Sequence, residues 1–172
     1  QINKSAINKF KLNEIGKIIG GATPKSKKKE YWNGKICWVT PAELNKLDDI
    51  FINTTLRKIT DNGLKNCSAS LLPANSVLFS SRAPIGHIAI NTVPMATNQG
   101  FKSFIVDKTI VEPIYLYYWL NCNRKFLQSM GVGATFKELS KNLISSIKID
   151  LPTLSEQQTF VKKIHFLHKI KV

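Results

Sequence analysis

Apolar residues in this chain come in short runs, and glycine and proline punctuate the gaps between them. Gly20-Gly21-Ala22-Thr23-Pro24 breaks the segment begun by Leu12, Ile15, Ile18 and Ile19. Pro41 follows Ile36-Cys37-Trp38-Val39, and Pro73 precedes Val77-Leu78-Phe79-Ser80. Pro84 and Gly86 stand before His87–Asn91, and Pro152 closes Ile147–Leu151. Such punctuation leaves room for short strands and short helices, and for few long elements. The runs at 36–39 and 77–80 predict buried strands. His87–Asn91 alternates as a strand does, and 102–106 and 147–151 each supply one more. None of the apolar stretches is long enough to cross a bilayer, so no membrane is expected among the partners.

Helices are announced by caps. Thr40-Pro41-Ala42-Glu43 has a capping box with proline at the first helical position, and Asp48-Asp49 limits that helix to a few residues. Thr60-Asp61-Asn62-Gly63-Leu64 reads as another short helix or a turn. Glu112-Pro113 opens the longest internal helix, with Leu116, Tyr117, Leu120, Phe126 and Leu127 along one stripe and Gly131 as its stop. Gly131–Thr135 forms a second flexible loop, and Leu139 and Leu143 lie on a short helix. Ser155 and Gln158 stand in capping-box register for a last helix, on which Phe160, Ile164 and Leu167 share a face. An amphipathic helix of that kind packs on a partner helix. The expected division is a linker or preceding segment at 1–10, a domain at 11–154 and the start of a helix at 155–172. The pattern is still running at Val172, so the chain reads as a piece of a longer protein.

Lysine and arginine total 25 against 11 acids, a net charge of +14 and a pI near 9.8 in 172 residues. A charge of this size points to a polyanion, with nucleic acid first; an inert basic surface is the alternative. Cys37, Cys67 and Cys122 have neither zinc-knuckle nor redox spacing and read as reduced thiols of a cytoplasmic protein. Catalytic motifs are missing from the sequence. There is no glycine-rich methyl-donor loop with an Asn/Asp-Pro-Pro-aromatic site, no carboxylate cluster for Mg²⁺ and no nucleophile elbow. His165 and His168, at i and i+3, lack an evident third metal ligand. The expectation is therefore no catalytic residue and no metal site in this chain.

Several loops combine cations with hydrogen-bonding groups. Lys25, Lys27, Lys28 and Lys29 are four lysines in five positions. They suit phosphate neutralisation, with Gly21 permitting close backbone approach, or else form a solvated charge run. Trp32, beside them, is the tryptophan placed for a nucleic-acid surface. Arg82 fits a bidentate contact to guanine or phosphate, or a bridge that holds its own loop. Asn98-Gln99 matches an adenine edge, or makes hydrogen bonds to loop backbone.

The motifs occur in a distinctive order. Gly21-x-Thr23-Pro24 precedes Tyr31-Trp32-x-Gly34-x-Ile36-x-Trp38-Val39-Thr40, then Ile59-Thr60-x-x-Gly63-Leu64 and Leu72-Pro73-x-x-Ser76-Val77-Leu78. Ser81-Arg82-Ala83-Pro84-Ile85-Gly86, Thr97-Asn98-Gln99-Gly100-Phe101 and Leu151-Pro152-x-Leu154-x-Glu156-Gln157 complete the series. This order resembles the target-recognition domain of the specificity subunit of type I restriction-modification systems, over roughly residues 11–172. The resemblance implies an α+β fold: a mixed domain with a strongly curved β-sheet and short helices, followed by the start of a long coiled-coil-type spacer helix. It implies non-catalytic recognition of one half of a bipartite double-stranded DNA target. It also implies methyltransferase subunits that bring S-adenosylmethionine and restriction subunits that use ATP and Mg²⁺, so that no cofactor belongs to this chain. A second recognition domain, or a second copy, would pack through the spacer helix. Residues shared by readers of many different sequences cannot set the sequence read. Trp38, Pro84, Gly86, Asn98 and Gln99 therefore read as scaffold, and Arg82 as a phosphate or loop-positioning group. Sequence choice is expected in 25–29, 45–55, 66–70 and 132–137, with Thr135 and Lys137 as DNA contacts in the last of these.

Overall fold

A computed structural model describes residues 7–82, 84–133 and 137–170, with the side chains of the last helix described as far as Phe166. The strands fall into three sheets rather than one. Five form the central sheet: β2 (Gly16–Gly20), β4 (Phe51–Ile52), β6 (Val77–Phe79), β7 (Ile88–Asn91) and β9 (Lys102–Val106), in the order β2-β9-β6-β7-β4. All neighbours are antiparallel except β4 and β7. β3 (Trp32–Val39) lies between β5 (Lys58–Ile59) and β8 (Met95–Thr97) in a three-stranded sheet. β1 (Asn8–Lys11) pairs with β10 (Lys148–Leu151).

Strand periodicity explains how the layers stack. Successive side chains point to opposite faces of a sheet. Val77, Phe79, Ile88, Ile90 and Phe104 pack on one face with Leu116, Leu120 and Leu127, from α3 (Pro113–Cys122) and α4 (Arg124–Ser129). The intervening Leu78 and Ala89 pack on the other face, with Cys37, Val39 and Met95 of the three-stranded sheet. The central sheet is thus covered on both faces. This is why 88–91 is buried at every position, although its sequence alternates as a half-exposed strand would. The remaining helices are α1 (Pro41–Leu44), α2 (Asp61–Lys65), α5 (Lys141–Ser146) and α6 (Leu154–Ile170).

Three sequence expectations change in detail. Asn8–Phe10, within the 1–10 stretch read as a linker or preceding segment, continue with Lys11 as a strand hydrogen-bonded to Lys148–Leu151, far away in sequence. The single helix expected from 113 to Gly131 is two helices, because Asn123 leaves helical geometry at φ −92°, ψ 11°. Its amide side chain donates to the Trp119 carbonyl at 2.8 Å, a local bond that competes with the helical ladder. The last helix is capped by Thr153 and Glu156, not by Ser155 and Gln158. The Thr153 N–H and hydroxyl both donate to Glu156 Oε2, at 2.9 and 2.7 Å. The box at Thr40 forms as its sequence predicts, with the Thr40 N–H donating to Glu43 Oε2 at 2.9 Å.

Gln157, next to this cap, has a different task. It is fully buried. Its Oε1 accepts from the Glu112 N–H at 3.0 Å, and its Nε2 donates to the carbonyls of Ile110 and Pro152, each at 3.0 Å. One side chain ties the start of α3 to the start of α6.

Candidate nucleic-acid interface

The lysine loop is mounted on two tryptophans. The indole N–H of Trp38, a side chain only 2% exposed, donates to the Ala22 carbonyl at 2.9 Å. The indole N–H of Trp32 donates to the Lys25 carbonyl at 3.3 Å. The two rings meet edge to face, with centroids 5.1 Å apart. Between these anchors the backbone closes a turn, Lys28 N–H to Lys25 O at 3.1 Å, and a short 3-10 turn follows at Lys29–Tyr31. Thr60, which caps α2, also donates from its hydroxyl to the Glu30 carbonyl at 2.8 Å. Lys28 pairs with Glu30 at 3.4 Å, whereas Lys25, Lys27 and Lys29 make no ion pair among the described residues. The result is an exposed group of cations on a backbone fixed at several points.

Gly21 does permit a close approach, but to the protein itself. A Cβ at this position would sit 2.1 Å from the Asn98 carbonyl oxygen and 2.3 Å from that of Thr97. The Ala22 N–H donates to the Thr97 carbonyl at 2.9 Å, and the Thr23 hydroxyl donates to Gln99 Oε1. Asn98 Oδ1 accepts from the Gly100 N–H at 2.9 Å. Asn98 and Gln99 are therefore committed to loop backbone and loop side chain, as the scaffold reading expects.

The 97–100 turn also carries the second group of loops. The Gly100 carbonyl accepts from the N–H groups of Ser81 and Arg82, at 2.8 and 3.3 Å. Arg82 Nε donates to Glu138 Oε2 at 2.9 Å, and Lys102 lies 3.5 Å from Glu138 Oε1. The bridge that holds a loop, one of the two sequence readings for Arg82, is formed. Val132 and Glu138 exchange backbone hydrogen bonds at 3.0 and 2.9 Å in an antiparallel bridge, with exposed Lys137 beside it. Thr135 lies outside the described residues. Gly86 takes φ +97°, and a Cβ there would lie 2.7 Å from Arg124 Cγ, so this glycine also serves the frame.

Not every expected segment gathers here. Residues 45–55 divide. Leu47–Phe51 lines a cleft with Tyr117 and His165, on the helical side of the domain. Thr55, by contrast, is buried beneath the tryptophans and accepts from the Trp38 N–H at 3.1 Å. Burial, its largest cause, holds the Tyr117 phenol above its ordinary range; Arg124 lowers it and Asp49 raises it. His87 is shifted down, first by burial and then by Arg124, so it adds no cation near neutral pH. Residues 66–70 stay near the tryptophans, with Ala69 against the Trp38–Ile59–Ala96 cluster. Phe160 is 39% exposed and meets Tyr115 and Tyr118 of α3 edge on. Ile164 is half-buried, and the side chain of Leu167 lies outside the description. Cys37 is buried, and all three cysteines are free thiols. Among the described residues, no three His, Cys, Asp or Glu side chains are grouped to hold a metal ion.

Sequence reasoning missed Arg57. Its guanidinium carbon lies 3.8 Å above the Trp32 ring centroid and 4.9 Å from that of Trp38. The available signal was the scarcity of arginine in a lysine-rich chain. Its pairing with tryptophans about twenty positions away is not visible in the sequence.

The comparisons agree with this architecture. The sequence profile of the type I restriction modification DNA specificity domain matches residues 4–171, and the chain belongs to that family. The type I restriction enzyme MjaIX specificity subunit of Methanocaldococcus jannaschii is 39% identical over 150 residues, covering 86% of this chain and 34% of that protein. The EcoR124I/EcoR124II specificity subunit of Escherichia coli is 29% identical over 158 residues, covering 88% of this chain and 38% of that protein. The chain thus spans little more than a third of the length of these relatives. The crystal structure of the HsdS subunit from Thermoanaerobacter tengcongensis superposes with a TM-score of 0.71 at 20% identity, over 98% of this chain and 39% of that one. That likeness establishes the mixed α+β fold with short helices.

Proposed function

We propose that this chain reads one half of a bipartite duplex DNA target and performs no chemistry itself. Methyl transfer, ATP hydrolysis and cleavage then belong to methyltransferase and restriction subunits, which bind S-adenosylmethionine, ATP and Mg²⁺ and are directed to the site by this domain. α6 continues as a coiled-coil spacer that packs on the matching helix of a second recognition domain or a second copy, while Phe160 on its first turns is engaged with Tyr115 and Tyr118 of α3. The assembly works in the prokaryotic cytoplasm; no helix among the described residues is long and apolar enough to cross a membrane. The observation that carries this reading is the lysine loop, a set of exposed cations fixed by Trp32, Trp38 and Thr60. Fixed cations release condensed counterions when they replace them along DNA phosphates.

Replacing Lys25, Lys27, Lys28 and Lys29 together by alanine is expected to weaken binding to every duplex sequence. It should also flatten the slope of log Kd against log salt by up to about 3.6, since each phosphate contact contributes about 0.9. Fluorescence anisotropy across a salt series measures both effects. An unchanged slope removes the phosphate role from this loop. Failure of the parent protein to bind any duplex at any salt concentration favours an interaction scaffold with an incidental basic surface.

A further inference from the structure

The connection between β4 and β5 presents two residues on a fixed backbone. Leu56 is 89% exposed, the most exposed large apolar side chain among the described residues. Its N–H donates to Glu43 Oε1 at 2.8 Å. Next to it, the Arg57 carbonyl accepts from the Trp38 N–H at 3.2 Å and from the Thr55 hydroxyl at 2.6 Å. The Arg57 guanidinium rests on Trp32, the same ring whose N–H holds the lysine loop at Lys25. Stacking on an aromatic face fixes the guanidinium plane and leaves its in-plane N–H groups free to donate.

The chain has only three arginines, Arg57, Arg82 and Arg124, among 25 cationic residues. Two are occupied: Arg82 by Glu138, and Arg124 by Asn121 Oδ1 at 2.7 Å. Arg57 makes no ion pair among the described residues. If this position needed only positive charge, lysine would serve, as it does along the neighbouring loop. A planar fork held at a set angle suits a planar, two-acceptor partner. The exposed leucine beside it gains nothing from a phosphate but is sheltered against a base edge such as a thymine methyl.

We infer that Arg57, oriented by Trp32 and Trp38, is a specificity-determining residue that donates to O6 and N7 of a guanine in the major groove, with Leu56 against the neighbouring base pair. This rests on the proposal that the domain reads duplex DNA. The lysine loop then holds phosphates while Arg57 reaches the base.

The test is selection of bound sites from random duplex DNA by the full chain, as parent, Arg57→Lys and Arg57→Ala. The parent is expected to select a site with one invariant guanine that Arg57→Lys no longer demands, a loss of about tenfold in discrimination at that position alone. Because Arg57→Lys keeps the charge, its salt slope should match the parent's. In a second measurement, 7-deazaguanine at the selected guanine should weaken parent binding about tenfold and Arg57→Lys binding clearly less, since the ammonium lacks the planar two-donor fork. This needs only the conservative variant, so it holds even if Arg57→Ala fails to fold. If the parent selects a site and Arg57→Lys selects the same site with the same guanine preference, the inference falls and the proposed function stands. Uniformly weaker binding with unchanged preference would make Arg57 a phosphate contact and also overturn the inference. If the parent binds duplex DNA but enriches no sequence, or binds none, the proposed function falls as well.

Discussion

Leucine in place of Gln157 is expected to destabilise the protein by about 3 kcal/mol. Leucine nearly matches glutamine in volume, so packing changes little. What is lost is polar satisfaction. The Glu112 N–H and the carbonyls of Ile110 and Pro152 all bond to this one amide in a fully buried setting. A buried backbone group left without a partner costs about 1–3 kcal/mol, and three are exposed to that loss. Small shifts that admit water to some of them keep the total near the lower end. For a domain of this size the melting temperature should fall by roughly 10 °C. Urea denaturation measures the free energy, and hydrogen exchange at the Glu112 amide reports whether the junction of α3 and α6 opens locally. Gln157→Glu separates polarity from shape. It keeps an acceptor but buries a charge, so its folded-state pKa is raised. Its penalty is therefore largest near neutral pH and shrinks as the carboxyl takes up a proton at lower pH. A midpoint unchanged in Gln157→Leu would show that the amide holds nothing in place.

Alanine at Gly21 is the second large expected effect. The new methyl would meet two backbone carbonyl oxygens and the Thr97 hydroxyl, the last at 2.4 Å. Those carbonyls cannot retreat freely. The Thr97 carbonyl accepts from Ala22, and the Asn98 N–H is tied to the Val39 carbonyl at 3.0 Å. Relief must come from moving residues 21–25 away from the 97–100 turn. The expected loss is about 2–3 kcal/mol of stability, in the range of strain at a close backbone contact. DNA affinity should fall by at least tenfold although no charge is removed, because correctly placed cations give way to misplaced ones. Isothermal titration measures the affinity, and tryptophan fluorescence from Trp32 and Trp38 reports the movement. Parent-like stability and affinity in Gly21→Ala would mean that the close approach is dispensable.

The two variants locate what was legible in the sequence. Local signals read well. The box at Thr40 and Glu43, the cap at Thr60 and the buried strand at 77–79 need only neighbours a few residues away. The order of short motifs read best of all, and the structure gives a reason. Thr23, Trp38, Thr60 and Gln99 bond to neighbouring loops, Gly21 lets two loops meet and Asn98 closes its own turn, so their types serve the frame whatever the loops between them carry. Long-range pairings stayed hidden. Nothing near Asn8 announces that it will meet Leu151. Nothing near Gln157 announces Glu112, because a buried amide is written in sequence just as an exposed one is. Arg57 stayed hidden for the same reason: its meaning depends on two rings that β3 brings to it. Two-residue strands such as β4 and β5 lack a period long enough to register.

The pairing of β1 with β10 has a consequence beyond stability. Asn8 faces Leu151, so the chain enters the domain and leaves it side by side. A unit entered and left at one doorway behaves as a cassette. Recombination at those two points would exchange everything between them as a block, tryptophan frame and lysine loop together, and deliver the flanking chain to the same place in space.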